Sequence, residues 1–291
     1  MSDRLSVMKT YKLAIGGQFP RSESGRSYEV VAHDGRFLAN AARASRKDVR
    51  DAVVAARGAQ ARWAGATAFN RGQVLYRVAE VLEGRAQQLV DELAALTGDA
   101  DAAAAEVAAT VDRWVWYAGW TDKFAQVAGS VNPVAGPFFN LSAPEPVGVV
   151  GIVAPRASAL LGLTSVVAPA LVAGNAVVVV ASEDRPLPAV TLAEVLATSD
   201  VPGGVVNVLT GHRDELAPVL AGHLDVDGLD LAGMAGATVE ELAALEVLAA
   251  EDVTRVLPAP PAEPDWTAEP RGVERIMAWC DVKTVWHPKG T

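Results

Sequence analysis

The longest nearly uncharged stretch of the chain covers residues 147–181, in which Arg156 is the one charged residue. Such a stretch is long enough to span a membrane as a helix. Pro155 and the Gly-Asn pair at 174–175 divide it, however, into short pieces with the order strand, helix, strand. Buried parallel strands have this near-continuous apolar character. The stretch therefore predicts a βαβ unit in a protein core, and we expect no membrane association.

The same alternation continues as far as residue 257. Strands separated by helices indicate right-handed crossovers and a parallel sheet that is covered on both faces. The predicted fold class is α/β, a Rossmann-like doubly wound sheet, which binds ligands beyond the carboxyl ends of its strands. The predicted strands are GVVGIV from 148, Ala176–Val180, Val205–Leu209, 228–231 and Thr254–Leu257, and the predicted helices are 160–171, 189–197, 214–221 and one that Thr238 caps.

Helices also dominate the region before this unit. Short strands and turns are expected up to residue 40, and Ser45 is placed to cap a first helix. Two further helices are expected to end near Gly84 and Gly98. A long fourth helix is predicted from about Asp101 to Val127. Its aromatic cluster could belong to the core or to an interface, and consists of Trp114, Trp116, Tyr117 and Trp120.

Proline marks two interruptions of the α/β pattern. Residues 129–146 contain several prolines around FFNL and predict an edge hairpin that leaves the main body. Residues 258–271 hold five prolines and predict an extended linker. In the following segment, 272–291, a short helical piece precedes a strand at Val282–Trp286. A lone strand is not stable, so it must pair with a sheet edge of its own chain or of a partner.

Composition excludes several functional classes. The chain has 291 residues, 35 acidic against 25 basic side chains and a net charge of -10. This charge argues against nucleic-acid binding, which needs clustered cations. One cysteine and four isolated histidines predict neither a disulfide scaffold nor a metal site. The N-terminus has scattered charges and no apolar core of a signal peptide, so we expect a cytoplasmic protein.

Three places could carry chemistry, and each has a plainer explanation. Glu183 follows a buried strand and could bind a ribose diol, or it could be solvated in a turn. The loop Ala232–Gly236 could admit phosphates to a helix N-terminus, or its glycines could serve a tight turn. Cys280 could be a nucleophile, but no base is evident beside it, and a small apolar filler is favoured.

Several long segments, in order, resemble the aldehyde dehydrogenase superfamily. They are IGGQF near the N-terminus, AARGAQARWAGATAFNRGQVLYRVAEVLE, EPVGVVGIVAP, VVAPALVAGNAVVVVASEDRPL, DVPGGVVNVLTG and DVKTVW. The resemblance implies a coenzyme domain for NAD or NADP at 1–257, interrupted by an oligomerisation hairpin at 129–146. It also implies that 272–291 completes this oligomerisation arm after the 258–271 linker. The family's catalytic domain, with its nucleophilic cysteine, is absent as a block.

The residues that remain depart from the family's functional motifs. The proline-tryptophan-asparagine turn keeps Pro155 but has Ala157 in place of the asparagine that stabilises the oxyanion. Loss of one such donor costs about 3 kcal/mol in a working enzyme. The family's base falls near Ala259. The ribose-binding segment retains Ser182 and Glu183, and the turn near the pyrophosphate retains Gly233. The resemblance thus implies no catalytic residues and a vestigial cofactor site at most.

A narrower resemblance is to the catalytically silent C-terminal module of two-module aldehyde dehydrogenases. It implies a pseudoenzyme subunit that joins a complete aldehyde dehydrogenase, or itself, through the arm. One alternative is a working NAD(P)-dependent aldehyde oxidoreductase, and another is a dinucleotide-binding module without chemistry. The expected interface residues are Phe138, Phe139, Leu141, Val282, Lys283, Thr284, Val285 and Trp286.

Overall fold

A computed structural model describes residues 8–268 and 273–290 of the chain. Its largest sheet has five parallel strands in the order β10-β9-β6-β7-β8, so the predicted doubly wound α/β fold is confirmed. The chain winds outward from β6 to β8 and then returns to the other side of β6 for β9 and β10. The strand order therefore reverses between β6 and β9. These strands are β6 (Val149–Val153), β7 (Ala176–Val180), β8 (Val206–Leu209), β9 (Gly228–Asp230) and β10 (Arg255–Leu257).

Helices bury both faces of this sheet because side chains alternate along each strand. In β7, Val177 and Val179 face one helical layer, while Val178 and Val180 face the other. The first layer contains α6 and α7 with the N-terminal helices α2 to α4, and the second contains α1, α8 and α9. The crossover helices are α6 (Leu161–Ala173), α7 (Leu187–Ala197), α8 (Arg213–Ala221) and α9 (Val239–Glu251).

Two helices begin at the caps that the sequence predicted. Ser45 accepts hydrogen bonds from the backbone N–H groups of Lys47 and Asp48, and Thr238 caps α9 in the same manner. The predicted fourth helix is wrong in one respect, because it breaks at 121–123 and resumes as a short helix. The Thr121 hydroxyl donates back to the Ala118 carbonyl there. The helices are α1 (Arg46–Ala64), α2 (Ala68–Gly84), α3 (Ala86–Thr97), α4 (Ala100–Trp120) and α5 (Phe124–Ala128).

Two smaller sheets flank the main body. An N-terminal sheet has the order β1-β3-β2, with β1 (Thr10–Tyr11), β2 (Ser27–Val31) and β3 (Phe37–Ala42). The other sheet has the order β11-β5-β4 and is antiparallel throughout. Its last strand pairs with the hairpin of its own chain, over nine residue pairs. We call this sheet the arm; it consists of β4 (Ser130–Asn132), β5 (Phe138–Pro146) and β11 (Cys280–Pro288).

Residues 258–279 connect the main sheet to the arm. The described part, 258–268, contains no helix or strand, and residues 269–271 of the predicted linker lie outside the described residues. This described part nevertheless packs on the body, because the Trp266 side chain is buried in the main core. A short helix, α10 (Glu274–Met277), follows and packs on α6. In the described ranges, no helix is long and apolar enough to cross a membrane.

Candidate functional site

The place to look for a ligand site is the carboxyl edge of the main sheet, where the strand order reverses. At this edge the turn 155–160 follows β6, and a 3-10 turn, Ala232–Met234, follows β9. The two turns are in close backbone contact. A Cβ built on Gly233 would lie 2.0 Å from the carbonyl oxygen of Ala154. Gly233 is thus required for packing, and this contact leaves little space for a phosphate between the two turns.

Residues 156–158 form a cradle of backbone amides after β6. The N–H groups of Arg156, Ala157 and Ser158 all donate to the carboxylate of Glu263, with the shortest donor–acceptor distance for each between 2.9 and 3.1 Å. The Trp266 indole N–H donates to the same carboxylate at 3.2 Å. Consecutive N–H groups that converge in this way form an anion-binding concavity. Here an anion of the chain itself occupies it.

On the β9 side of the edge, a buried carboxylate faces a cation from α10. Asp230 is fully buried, and one of its oxygens accepts from the Ala232 N–H at 2.9 Å. The other oxygen lies 3.5 Å from the Arg275 guanidinium. Burial raises the pKa of Asp230 to about 6, and the attraction of Arg275 opposes part of that rise. This edge position is therefore also filled from within the chain.

A separate cavity lies beyond the ends of β6 and β7, with a volume of about 240 Å³. Ser182 and Glu183 both line it, so the structure brings these two predicted residues together. Glu183 is neither free for a ribose nor simply solvated. Its carboxylate contacts His212 Nδ1 at 2.6 Å and accepts from the Arg213 N–H at the start of α8. Ser182 donates to the Arg156 carbonyl at 3.0 Å.

The fit of a dinucleotide to this edge is poor. The Arg213 side chain extends from α8 along the cavity wall, with Nη1 at 3.5 Å from the Gly233 carbonyl. The cavity is smaller than the 300–1,000 Å³ usual for ligand pockets. Pro155 is buried in the turn after β6. The predicted cofactor residues Pro155, Ser182, Glu183 and Gly233 therefore contact protein groups or pack in turns rather than forming one open cleft.

Ala157 and Ala259, at or near the family's asparagine and glutamate positions, have unreactive side chains. Ala157 is exposed and offers its backbone N–H to Glu263, and Ala259 packs against the apolar core beside β10. Cys280 is buried at the start of β11, with its thiol donating to the Ile276 carbonyl. Burial raises the pKa of Cys280 to about 12, the opposite of what a nucleophile needs. No cluster of three metal-ligating side chains occurs within residues 8–268 and 273–290.

The arm exposes apolar side chains on both of its faces. Val131, Leu141 and Val285 form a row across the three strands on one face, and they are 69%, 48% and 48% exposed. On the other face Phe138 and Trp286 stack edge to face with ring centroids 5.8 Å apart. The other expected interface residues, Phe139, Val282, Lys283 and Thr284, are exposed as well. Monomeric soluble proteins seldom expose apolar patches of this extent without a function.

The aromatic cluster of α4 divides between core and surface. Trp114 and Tyr117 are buried in the main core. Trp116 and Trp120 are half-buried and lie with ring centroids 5.5 Å apart. The sequence left open whether this cluster belongs to the core or to an interface. Trp114 and Tyr117 belong to the core.

The sequence profile of the aldehyde dehydrogenase family matches residues 19–253 of this chain. The chain belongs to the aldehyde dehydrogenase family. Cytosolic 10-formyltetrahydrofolate dehydrogenase of Pongo abelii is 33% identical over 240 residues, which are 79% of this chain and 26% of that protein. The crystal structure of PnpE from Pseudomonas sp. WBC-3 superposes with a TM-score of 0.80 at 30% identity. An NAD-dependent aldehyde dehydrogenase from Sinorhizobium meliloti gives a TM-score of 0.78 at 29% identity.

The chain spans about half the length of the solved chains that it matches. It covers 50% of each of the two solved chains, which in turn match 85% and 86% of it. Inside the chain, β10 ends at Leu257 and β11 begins at Cys280, so residues 258–279 are all that separates the main sheet from the arm.

Sequence reasoning missed the residues that fill the carboxyl edge, namely Glu263, Trp266, Asp230 and Arg275. One signal was available for Trp266. A tryptophan in a proline-rich linker is expected to pack against the body, because burial of the large indole ring is favourable in free energy. The other three gave no comparable signal, since Asp230 lies in a short apolar run and Glu263 lies among prolines.

Proposed function

We propose that this aldehyde-dehydrogenase-family chain is a non-catalytic subunit that associates through its arm with a complete aldehyde dehydrogenase or with a second copy of itself. The observation that carries the proposal is the arm's exposed apolar row of Val131, Leu141 and Val285. Apolar area on a folded sheet gains free energy when a partner covers it. The polar rim around such a row would fix the orientation of the partner.

The state of the candidate site supports the non-catalytic part of the proposal. The only cysteine has a raised thiol pKa and is buried, so it lacks the thiolate that aldehyde oxidation by this family requires. Ala157 and Ala259 provide no side-chain donor and no base. A subunit of this kind would act by holding or positioning a partner, as the silent module of a two-module aldehyde dehydrogenase would.

Association is tested by co-expressing the tagged chain with complete aldehyde dehydrogenases from the same source. We expect co-purification and a complex in sedimentation velocity. Leu141→Asp should weaken the complex at least tenfold, because it places a charge in the centre of the apolar row. Val247→Asp is the matched control, because Val247 is 62% exposed on α9, outside the arm. A chain that stays monomeric alone and binds none of these enzymes would contradict the proposal.

The two alternatives have separate tests. If the chain is an NAD- or NADP-dependent oxidoreductase, the isolated protein should oxidise aldehydes robustly, and Cys280→Ala should abolish that activity. We expect no aldehyde oxidation by the isolated protein. If the chain is a dinucleotide-binding module, calorimetric titration with NAD or NADP should give a dissociation constant below about 1 mM. That limit corresponds to a binding free energy of about 4 kcal/mol. We expect weaker binding, because Glu183 is already engaged by His212 and Arg213.

A further inference from the structure

The segment 258–268 lies over the point where a doubly wound sheet binds its ligand. It leaves β10, crosses the turn after β6 and places Glu263 on the amides of residues 156–158. We infer that this segment is an intramolecular strap, in which the Glu263 carboxylate takes the place of an anionic ligand at the carboxyl edge of the sheet. The inference concerns the α/β body and is independent of the arm.

The first support is the geometry of recognition. Three consecutive N–H groups converge on one carboxylate, and hydrogen bonds to an ionised acceptor are roughly twice as strong as neutral ones. The neighbouring guanidinium does not share this anion. Arg156 instead pairs with Asp184 at 2.7 Å, on the opposite side of the turn. The backbone therefore forms the receptor, and its ligand must be a small acceptor group such as a carboxylate.

The second support is that the strap is anchored immediately after Glu263, on the C-terminal side of its contact with the turn. The Trp266 ring lies against α6, where a Cβ on Gly162 would come within 3.1 Å of the indole. Arg113 of α4 is buried and donates to the carbonyls of Trp266 and Ala268, at 2.9 and 3.1 Å. A solvated spacer would make neither contact. The ion pair of Arg275 with Asp230 then holds the segment after the strap to the other side of the same edge.

The Glu263 carboxylate gives three backbone N–H groups an ionised acceptor, although Arg156 and Ala157 lie in an exposed part of the turn. The same contact would exclude a competing anion. If the carboxylate is removed, the cradle should become a receptor for small free carboxylates, of which acetate is the simplest probe.

The test uses the full chain with Glu263→Ala and follows its melting temperature as sodium acetate replaces sodium chloride at constant ionic strength. We expect Glu263→Ala to lower the Tm by about 5 °C, since a loss of a few kcal/mol shifts a domain of this size by several degrees. Acetate should restore at least half of this loss in a saturable manner. Wild type should not respond to acetate.

Asp265→Ala is the matched control, because Asp265 lies in the same strap but bonds to Thr267 of its own turn. Its Tm should show no acetate response. Hydrogen exchange gives a second readout with the milder Glu263→Gln, in which the amides of residues 156–158 should exchange at least tenfold faster. An unchanged exchange rate in that variant, or an acetate effect equal in wild type and Glu263→Ala, would overturn the strap.

Discussion

The main sheet and the arm use similar apolar residues in opposite ways. Every residue of β6 and β7 is buried, and helices cover both faces of these strands. In the arm, Leu141 and Trp286 are 48% and 58% exposed, although the strands are fully paired with one another. The strands of the main sheet are therefore covered by the chain's own helices, whereas the arm carries exposed apolar side chains on both of its faces. This contrast is why the arm, and not the cleft, carries the proposed function.

The largest expected difference between the two sheets is in their response to truncation. Ile152→Ala in β6 removes fully buried methylene and methyl groups and should cost about 3 kcal/mol of unfolding free energy. Val131→Ala in the arm should cost less than about 0.5 kcal/mol, because Val131 is mostly exposed. Urea denaturation of both variants checks this. Equal losses would mean that the arm is covered in the free protein, as the main sheet is.

The next effect concerns the buried edge of the main sheet. Because the pKa of Asp230 is about 6 in the folded chain against an ordinary 3.8, the folded state binds its proton more tightly than the unfolded state. The stability contributed by this group is full below pH 3.8 and is lost as the pH rises through 6. Asp230→Asn removes that dependence. The unfolding free energy of Asp230→Asn minus that of wild type should therefore be about 2 kcal/mol larger at pH 7.5 than at pH 4.5.

Denaturation at these two pH values measures that increase for Asp230→Asn. Asp214→Asn is a suitable reference, because Asp214 is an exposed carboxylate at the start of α8. If the unfolding free energies of Asp230→Asn and wild type differ by the same amount at both pH values, Asp230 does not titrate between them.

A smaller effect is expected for the polar side chains that hold the arm strands together. Asn140 is buried within the arm and accepts a hydrogen bond from the Asn132 side chain. Asn140→Ala removes one of the two acceptors of the Asn132 amide, the other being the Ser142 hydroxyl, and should cost about 1 kcal/mol. Ser130→Ala, on the exposed edge of the same network, should cost less than about 0.5 kcal/mol. Thermal unfolding of the two variants measures these losses. A larger loss for Ser130→Ala than for Asn140→Ala would show that Asn140 does not hold the arm strands together.

The smallest effect should come from the charged surface of the arm. Lys283 and Glu145 form an exposed ion pair of 3.1 Å between β11 and β5. Exposed pairs of this kind contribute between 0 and about 1 kcal/mol and are screened by salt. Lys283→Ala should therefore change the unfolding free energy by less than about 0.5 kcal/mol in 0.15 M salt. A larger loss would indicate that the ion pair is covered.

The α/β body could be predicted because its signals are local. The caps at Ser45 and Thr238 and the apolar run Ala176–Val180 each act within a few residues, and each element lies within a few residues of its expected bounds. The break after Trp120 was missed although the alanine-rich run that predicts the helix ends at Ala109. Residues 119–123 include a glycine and have lower helix propensity, so the sequence held a signal that the prediction overlooked.

The filling of the candidate site could not be predicted in the same way. Glu263 meets the turn at 156–158 across more than 100 residues of sequence, and Asp230 meets Arg275 across a crossover helix and the strap. Neither pairing leaves a periodic pattern. The substitutions at Ala157 and Ala259 could be identified by comparing the sequence with the family's motifs. Those motifs gave no information about the residues that lie at the carboxyl edge of the sheet.

The pairing of β11 with β5 also has a consequence for the order in which the chain folds. Ser142 and Thr284 share a hydrogen bond although they are separated by most of the α/β body in sequence. During synthesis the hairpin of residues 130–146 leaves the ribosome early, and its outer edge waits until residues 280–288 have been translated. The arm is thus the last sheet to close. A nascent chain therefore cannot complete the proposed docking surface before its body has been made, which would keep incomplete chains out of the proposed assembly.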